Sequence, residues 1–127
     1  MPPETASGFY PAPAPIDAYG GGGFRFAGMS HRGSLLVLPS GIHAWDVASA
    51  ETLTAASFAQ VFAERDRLEF LLLGTGLAQA FPSPAIRQAF EDAGLGLEAM
   101  STGAAARTFN VLLAEGRKVA AALIAAG

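Results

Sequence analysis

The stretch Leu68-Glu69-Phe70-Leu71-Leu72-Leu73, followed at once by Gly74-Thr75-Gly76, constrains this chain more than any other. A run apolar at all but one position is the pattern of a strand covered on both faces, as in parallel sheets. The sequence after it supplies two helical patterns. Ser83-Pro84 opens the first, with a capping hydroxyl and a proline at the first helical position. Ile86, Ala89, Phe90 and Ala93 form its inner face, and Gly94 stands where a left-handed residue ends a helix. Residues 95–100 read as the next strand. Ser101 or Thr102 caps the second pattern, Ala105, Phe109, Leu112 and Leu113 form its buried stripe, and Gly116 closes it. Residues 117–124 admit two readings. Their alanines favour helix, whereas their place after strand-helix-strand-helix favours a strand returning to the sheet, which is the reading adopted.

Upstream, the pattern is one of short strands and turns. Residues 1–15 carry Pro2, Pro3, Pro11, Pro13 and Pro15 and read as an extended, flexible arm, from which Phe9 and Tyr10 can dock. Residues 16–127 read as a single α/β domain. Within it, residues 16–19 are a short strand, residues 20–23 a glycine reversal, and Phe24-Arg25-Phe26 a strand with both rings on one face. Residues 29–33 read as a turn, 33–38 as a strand, Pro39-Ser40-Gly41 as a turn and 42–47 as a strand. Residues 54–65 read as a helix capped by Thr54, with Phe58, Val61 and Phe62 inward.

Much chemistry is excluded by residue type. The chain has 127 residues and no cysteine, which removes disulfides, thiol catalysis and thiolate metal sites. The net charge is −3 with no Lys/Arg run, so no nucleic-acid partner is assigned. The apolar tail, residues 119–126, is far short of the ~20 residues of a spanning helix, so the chain is not read as an integral membrane protein. Residues 1–24 contain no Lys or Arg and offer no basic leader, so the expected location is the cytoplasm. The four glycines at 20–23 lack the GxxxxGK[ST] continuation of a phosphate loop. His31 and His43 lack metal-ligand spacing, and neither a Ser-His-Asp arrangement nor a GxSxG elbow is present. No catalytic residue and no cofactor is assigned.

One region remains for a site. Gly74-Thr75-Gly76 and Ser101-Thr102 both follow strands, and parallel neighbours would bring both turns to one sheet edge. That is where open α/β sheets place ligands. Backbone N–H groups there, with a helix N-terminus, suit a small anion. Arg107 and Asn110, three apart on one helix flank, are expected to face this cleft, and a guanidinium beside free amides suits a carboxylate or phosphate. The plainer readings are a tight turn for Gly-Thr-Gly, a pairing of Arg107 with Glu98, Glu115 or a carbonyl, and a loop-stabilising role for Asn110.

The order of motifs resembles a known family. Tyr19-Gly20 through Phe24-Arg25, Gly33-Ser34-Leu35-Leu36-Val37, Trp45 and Leu73-Gly74-Thr75-Gly76 carry the likeness, which covers residues 16–124. Its most specific part is Thr102-Gly103-Ala104-Ala105-Ala106-Arg107-Thr108-Phe109-Asn110-Val111-Leu112, continuing to Glu115-Gly116-Arg117. The chain resembles the small α/β family that contains the mitochondrial complex I assembly factor 3 and many bacterial and archaeal proteins, and it looks like a bacterial member. The resemblance implies a three-layer α/β domain with a mixed central sheet, flanking helices and an added β-hairpin layer. It implies no established catalytic activity and a protein partner, as for an assembly or adaptor factor. The polar positions that match, Thr75, Thr102, Arg107, Thr108 and Asn110, bring no assigned role with them. The alternative is a small-molecule or anion binder, or an enzyme, using the turn and Arg107.

Overall fold

The structure is a computed structural model that describes residues 10–126. Among these residues, eight strands form two sheets. The first is three-stranded and antiparallel, made of β1 (Ala18–Gly20), β2 (Gly23–Phe26) and β3 (Met29–Arg32). The second has five strands: β4 (Ser34–Leu38), β5 (Gly41–Trp45), β6 (Phe70–Gly74), β7 (Gly96–Met100) and β8 (Val119–Leu123), in the order β5-β4-β8-β6-β7. It is mixed, because β6 runs parallel to both β7 and β8 while β4 is antiparallel to β5 and β8. Among the described residues, three α-helices accompany the strands: α1 (Ala59–Ala63), α2 (Pro84–Ala93) and α3 (Thr102–Ala114).

The central sheet divides the core in two. Leu71 and Leu73 of β6, with Ala120 and Ala122 of β8, face Phe58, Val61, Ile86 and Phe90 of the α1 and α2 side. Leu72, Ala121 and Leu123 face Ala105, Ala106 and Phe109 of α3, and the same face continues to Phe24 and Phe26 of the small sheet. The result is the expected three-layer arrangement with an added hairpin sheet. Residues 117–124 contain a strand, and all five residues of β8 are buried. Burial on both faces outweighs the helical preference of its alanines, and their small side chains suit a strand sandwiched between helices.

The helix caps follow the sequence closely. Ser83 Oγ accepts from the Ile86 N–H, Gly94 takes φ 73°, and Leu95 N–H donates to Phe90 O at 3.0 Å in a Schellman closure. Ser101, rather than Thr102, is the N-cap of α3.

Two local readings need correction. Residues 29–33 are not a turn, since Met29–Arg32 is β3. The reversal lies earlier, at Ala27 and Gly28, whose φ values of 50° and 75° are the positive pair that a two-residue hairpin loop requires. An alanine there hides the usual Asn-Gly signal. Residues 54–65 are not one helix. A 3₁₀ turn at Ala55–Phe58 precedes α1, and another follows at Arg65–Arg67. Apolar spacing stops at Phe62, so the polar residues beyond it have no face to bury and the helix ends.

Residues 1–9 of the N-terminal arm lie outside the described residues. From Tyr10 the chain lies along the domain. Tyr10 exchanges backbone hydrogen bonds with Ile42, its ring meets Phe26 edge-on, and Ala14 and Ile16 are buried.

Candidate functional site

The carboxyl ends of β6, β7 and β8 meet the start of α3, and a few hydrogen bonds lock the junction. Gly74 permits the close approach, because a Cβ there would stand 2.9 Å from Thr102 Cα. Gly76 takes φ 103°, which disfavours any side chain. Thr75 holds the loop that follows. Its hydroxyl donates to Ala78 O at 2.7 Å and accepts from Ala80 N–H at 2.9 Å, while its own N–H donates to Met100 O. Thr102 is fully buried. Its hydroxyl donates to Ile124 O at 2.6 Å and accepts from Gly76 N–H at 2.9 Å, and its backbone N–H donates to Gly76 O. Gly74, Thr75, Gly76, Ser101 and Thr102 are thus brought together, as parallel β6 and β7 would require.

Arg107 and Asn110 do not join them. The Arg107 Nη1 donates to Tyr19 Oη at 2.8 Å, and Tyr19 packs across Gly103, where an added Cβ would collide with its hydroxyl. Asn110 clamps the chain entering β1, with Oδ1 accepting from Ile16 N–H and Nδ2 donating to Ile16 O, both at 2.8 Å. The expectation that these two side chains face the glycine turn is corrected. Both are turned to the N-terminal segment, because that segment and the small sheet occupy the α3 side of the core.

The same geometry limits what the junction can hold. Of the amides expected to cradle an anion, Thr75 N–H and Gly76 N–H are already bonded within the chain, as is Thr102 N–H at the start of α3. Two large apolar side chains leave the junction outward. Leu77 and Phe81 on the β6–α2 loop are 82% and 79% exposed. Sequence reasoning passed over them, although two large apolar residues between a strand end and a Ser-Pro helix start were a legible signal.

The structure also assembles a polar trio that spacing did not reveal. Ser40 donates to Glu64 Oε2 at 2.5 Å through its hydroxyl and to Oε1 through its N–H, and His43 Nε2 lies 2.9 Å from the same hydroxyl oxygen. The serine's only hydroxyl hydrogen is directed to the carboxylate, so the imidazole nitrogen meets it as a donor. A nucleophilic serine needs the opposite order, with histidine taking the proton and the carboxylate behind it. The trio is a turn brace joining the β4–β5 loop to the end of α1.

The family motif is now readable as structure. Thr102 knots the junction, Ala105 and Ala106 lie under the sheet, Arg107 holds Tyr19, Phe109 fills the core and Asn110 holds Ile16. Residues 16–124 match the family described as a protein of unknown function, DUF498/DUF598. The chain belongs to this family. Within it, the chain is 39% identical over 114 residues to an uncharacterized protein of Rhodobacter capsulatus, covering 87% of this chain and 83% of the relative. It is 34% identical over 115 residues to the NADH dehydrogenase [ubiquinone] 1 alpha subcomplex assembly factor 3 of Mus musculus, covering 91% of this chain but 62% of that protein. The DUF498/DUF598 chain therefore spans less than two thirds of the assembly factor's length. A crystal structure of an outer membrane protein from Bartonella henselae superposes with a TM-score of 0.89 at 48% identity, covering 93% of this chain and 99% of that one. Among the described residues, no helix is long and apolar enough to cross a membrane.

Proposed function

We propose that this chain is a protein-binding assembly or adaptor factor without catalytic chemistry of its own. The observation that carries the reading is the exposure of Leu77 and Phe81 on the loop leaving β6. In α/β sheets that loop usually closes over a small ligand. Here Thr75, Gly76 and the Gln79 side chain are bonded within the chain, and the large apolar side chains face outward, a feature of interaction surfaces. Kinship with an assembly factor of a respiratory complex supports the same class of role. The reading extends to respiratory-complex components as partners and the cytoplasm as the place of action. The small-anion alternative at the turn lacks comparable support, since Arg107 is bonded to Tyr19 and the turn amides are bonded within the chain.

The test is capture of partners from the native cell by tagged full-length chain and by the Leu77→Ser, Phe81→Ser double variant, with fractionation of the same cells. Wild type should retain defined respiratory-complex or membrane-insertion components, and the variant should lose them. Its stability should change by no more than about 0.5 kcal/mol per exposed site. A partner-free monomer that gains thermal stability from one metabolite or from phosphate would overturn the reading.

A further inference from the structure

β7 is the outer strand of the five-stranded sheet and, among the described residues, pairs with β6 alone. The register shows which backbone groups that pairing uses. Gly96 N–H donates to Glu69 O at 3.2 Å, and Met100 O accepts from Thr75 N–H at 2.9 Å. In a parallel ladder, alternate residues turn both peptide groups to the same neighbour. Gly96, Glu98 and Met100 therefore bond inward, and the N–H and C=O of Leu97 and Ala99 project away from the sheet. Ala99 O accepts from the Gln79 side-chain amide at 2.8 Å, and the other outward groups have no hydrogen bond to the described residues.

Such an edge is a template for another strand, and proteins commonly blunt it with lysine, proline or a bulge. β7 has the sequence Gly-Leu-Glu-Ala-Met, with neither lysine nor proline. It is also grooved on both faces. On the α2 side, Phe81, Pro82, Phe90, Leu95, Leu97 and Ala99 help line a groove of ≈ 490 Å³. On the α3 side, Phe70, Leu72, Met100 and Leu112 line one of ≈ 340 Å³, with Glu98 in its wall. A strand added here would send alternate side chains to alternate grooves.

Glu98 selects the occupant. It has no ion pair among the described residues. A second copy pairing antiparallel in full register would set Leu97 against Ala99 and Glu98 against Glu98. That like-charge pair would fall at a non-hydrogen-bonded position, where opposing side chains are closest and like charges destabilise. A lysine or arginine at the same place reverses the sign. We infer that β7 is a strand-addition site for an extended segment of a protein partner. The segment has the pattern apolar–basic–apolar: the apolar residues enter the α2-side groove opposite Leu97 and Ala99, and the basic residue meets Glu98. This rests on the protein-binding reading above and names the partner's chemistry.

The experiment is an amide NMR and hydrogen-exchange titration of the full chain with a capped synthetic peptide, lysine between two valines flanked by threonines. The Leu97 and Ala99 amides should become protected, with shifts centred on β7 and Gln79. Glu98→Lys should weaken binding by about threefold to tenfold and strengthen, by a similar factor, binding of the same peptide carrying glutamate for lysine. Ala99→Pro removes an outward N–H and no bond to β6, and should abolish binding. Unchanged exchange at Leu97 and Ala99 would overturn the inference. So would equal binding of both peptides by wild type and Glu98→Lys, or protection of these amides in a peptide-free dimer. If wild type captures a cellular partner and folded Ala99→Pro captures it equally, strand addition is refuted and the adaptor reading stands. If wild type captures none, the adaptor reading fails.

Discussion

Replacing Thr102 by valine tests the claim that one buried hydroxyl knots the junction of β6, β8 and α3. Valine is nearly isosteric with threonine but can neither donate to Ile124 O nor accept from Gly76 N–H, bonds of 2.6 and 2.9 Å in the native chain. Each bond is worth about 1 kcal/mol net, and a buried group left unpaired costs about 1–3 kcal/mol more. Ile124 is itself buried, so its carbonyl has no easy replacement partner. The methyl would also stand where an oxygen approaches to 2.6 Å, closer than the ~3.3 Å of the tightest carbon–oxygen contacts, so the junction must open slightly. The expected loss is about 2–4 kcal/mol, or about 8–15 °C in Tm for a domain of this size. Urea unfolding followed by circular dichroism measures it. Thr102→Ser is the control. It keeps both bonds and forfeits one methyl group, about 1 kcal/mol. The reasoning is refuted if valine lies within about 0.5 kcal/mol of wild type, or if serine costs more than valine.

Two further perturbations follow from the same geometry. Arg107→Ala removes an exposed guanidinium bonded to one tyrosine hydroxyl and should cost less than about 1 kcal/mol, whereas Asn110→Ala frees both backbone groups of Ile16 and should cost about 1.5–3 kcal/mol. Denaturant midpoints in the reverse order would contradict the structural assignment of these two residues. Burial holds the His43 imidazole below its ordinary value of 6.5, against an opposing pull from Glu64. The unfolded chain then takes up the proton first as pH falls, so this contribution is present above about pH 6.5 and fades below it. The urea midpoint should drop from about pH 7.5 to about pH 5.5, less steeply in His43→Gln, and equal slopes would show that His43 contributes nothing.

Sequence by itself determined the elements whose signals are local. The run through Leu73 marked β6, Ser83-Pro84 and Gly94 bounded α2, and Ser101-Thr102 and Gly116 bounded α3, because a cap or a turn glycine acts within one helical turn. The alternation of Phe24 and Phe26 put both rings on one face of β2, and the structure buries that face. Where the local signal was weak, it misled: the Ala27–Gly28 hairpin lacks the usual residues, and the apolar stripe of α1 is a single turn long.

The tertiary structure alone decided where the site residues point. Arg107 and Asn110 were correctly placed on a flank of α3, but their partners Tyr19 and Ile16 lie 88 and 94 residues earlier in the chain. Helical periodicity says which side chains leave the buried stripe; it cannot say which layer lies beside that flank. That layer is the small sheet and its incoming strand, held on the α3 side by Phe24 and Phe26. The open edge at β7 has the same origin. Nothing in the residues of β7 says what lies beside it; the strand order β5-β4-β8-β6-β7, set by which faces could be buried together, leaves Leu97 and Ala99 without a neighbouring strand among the described residues.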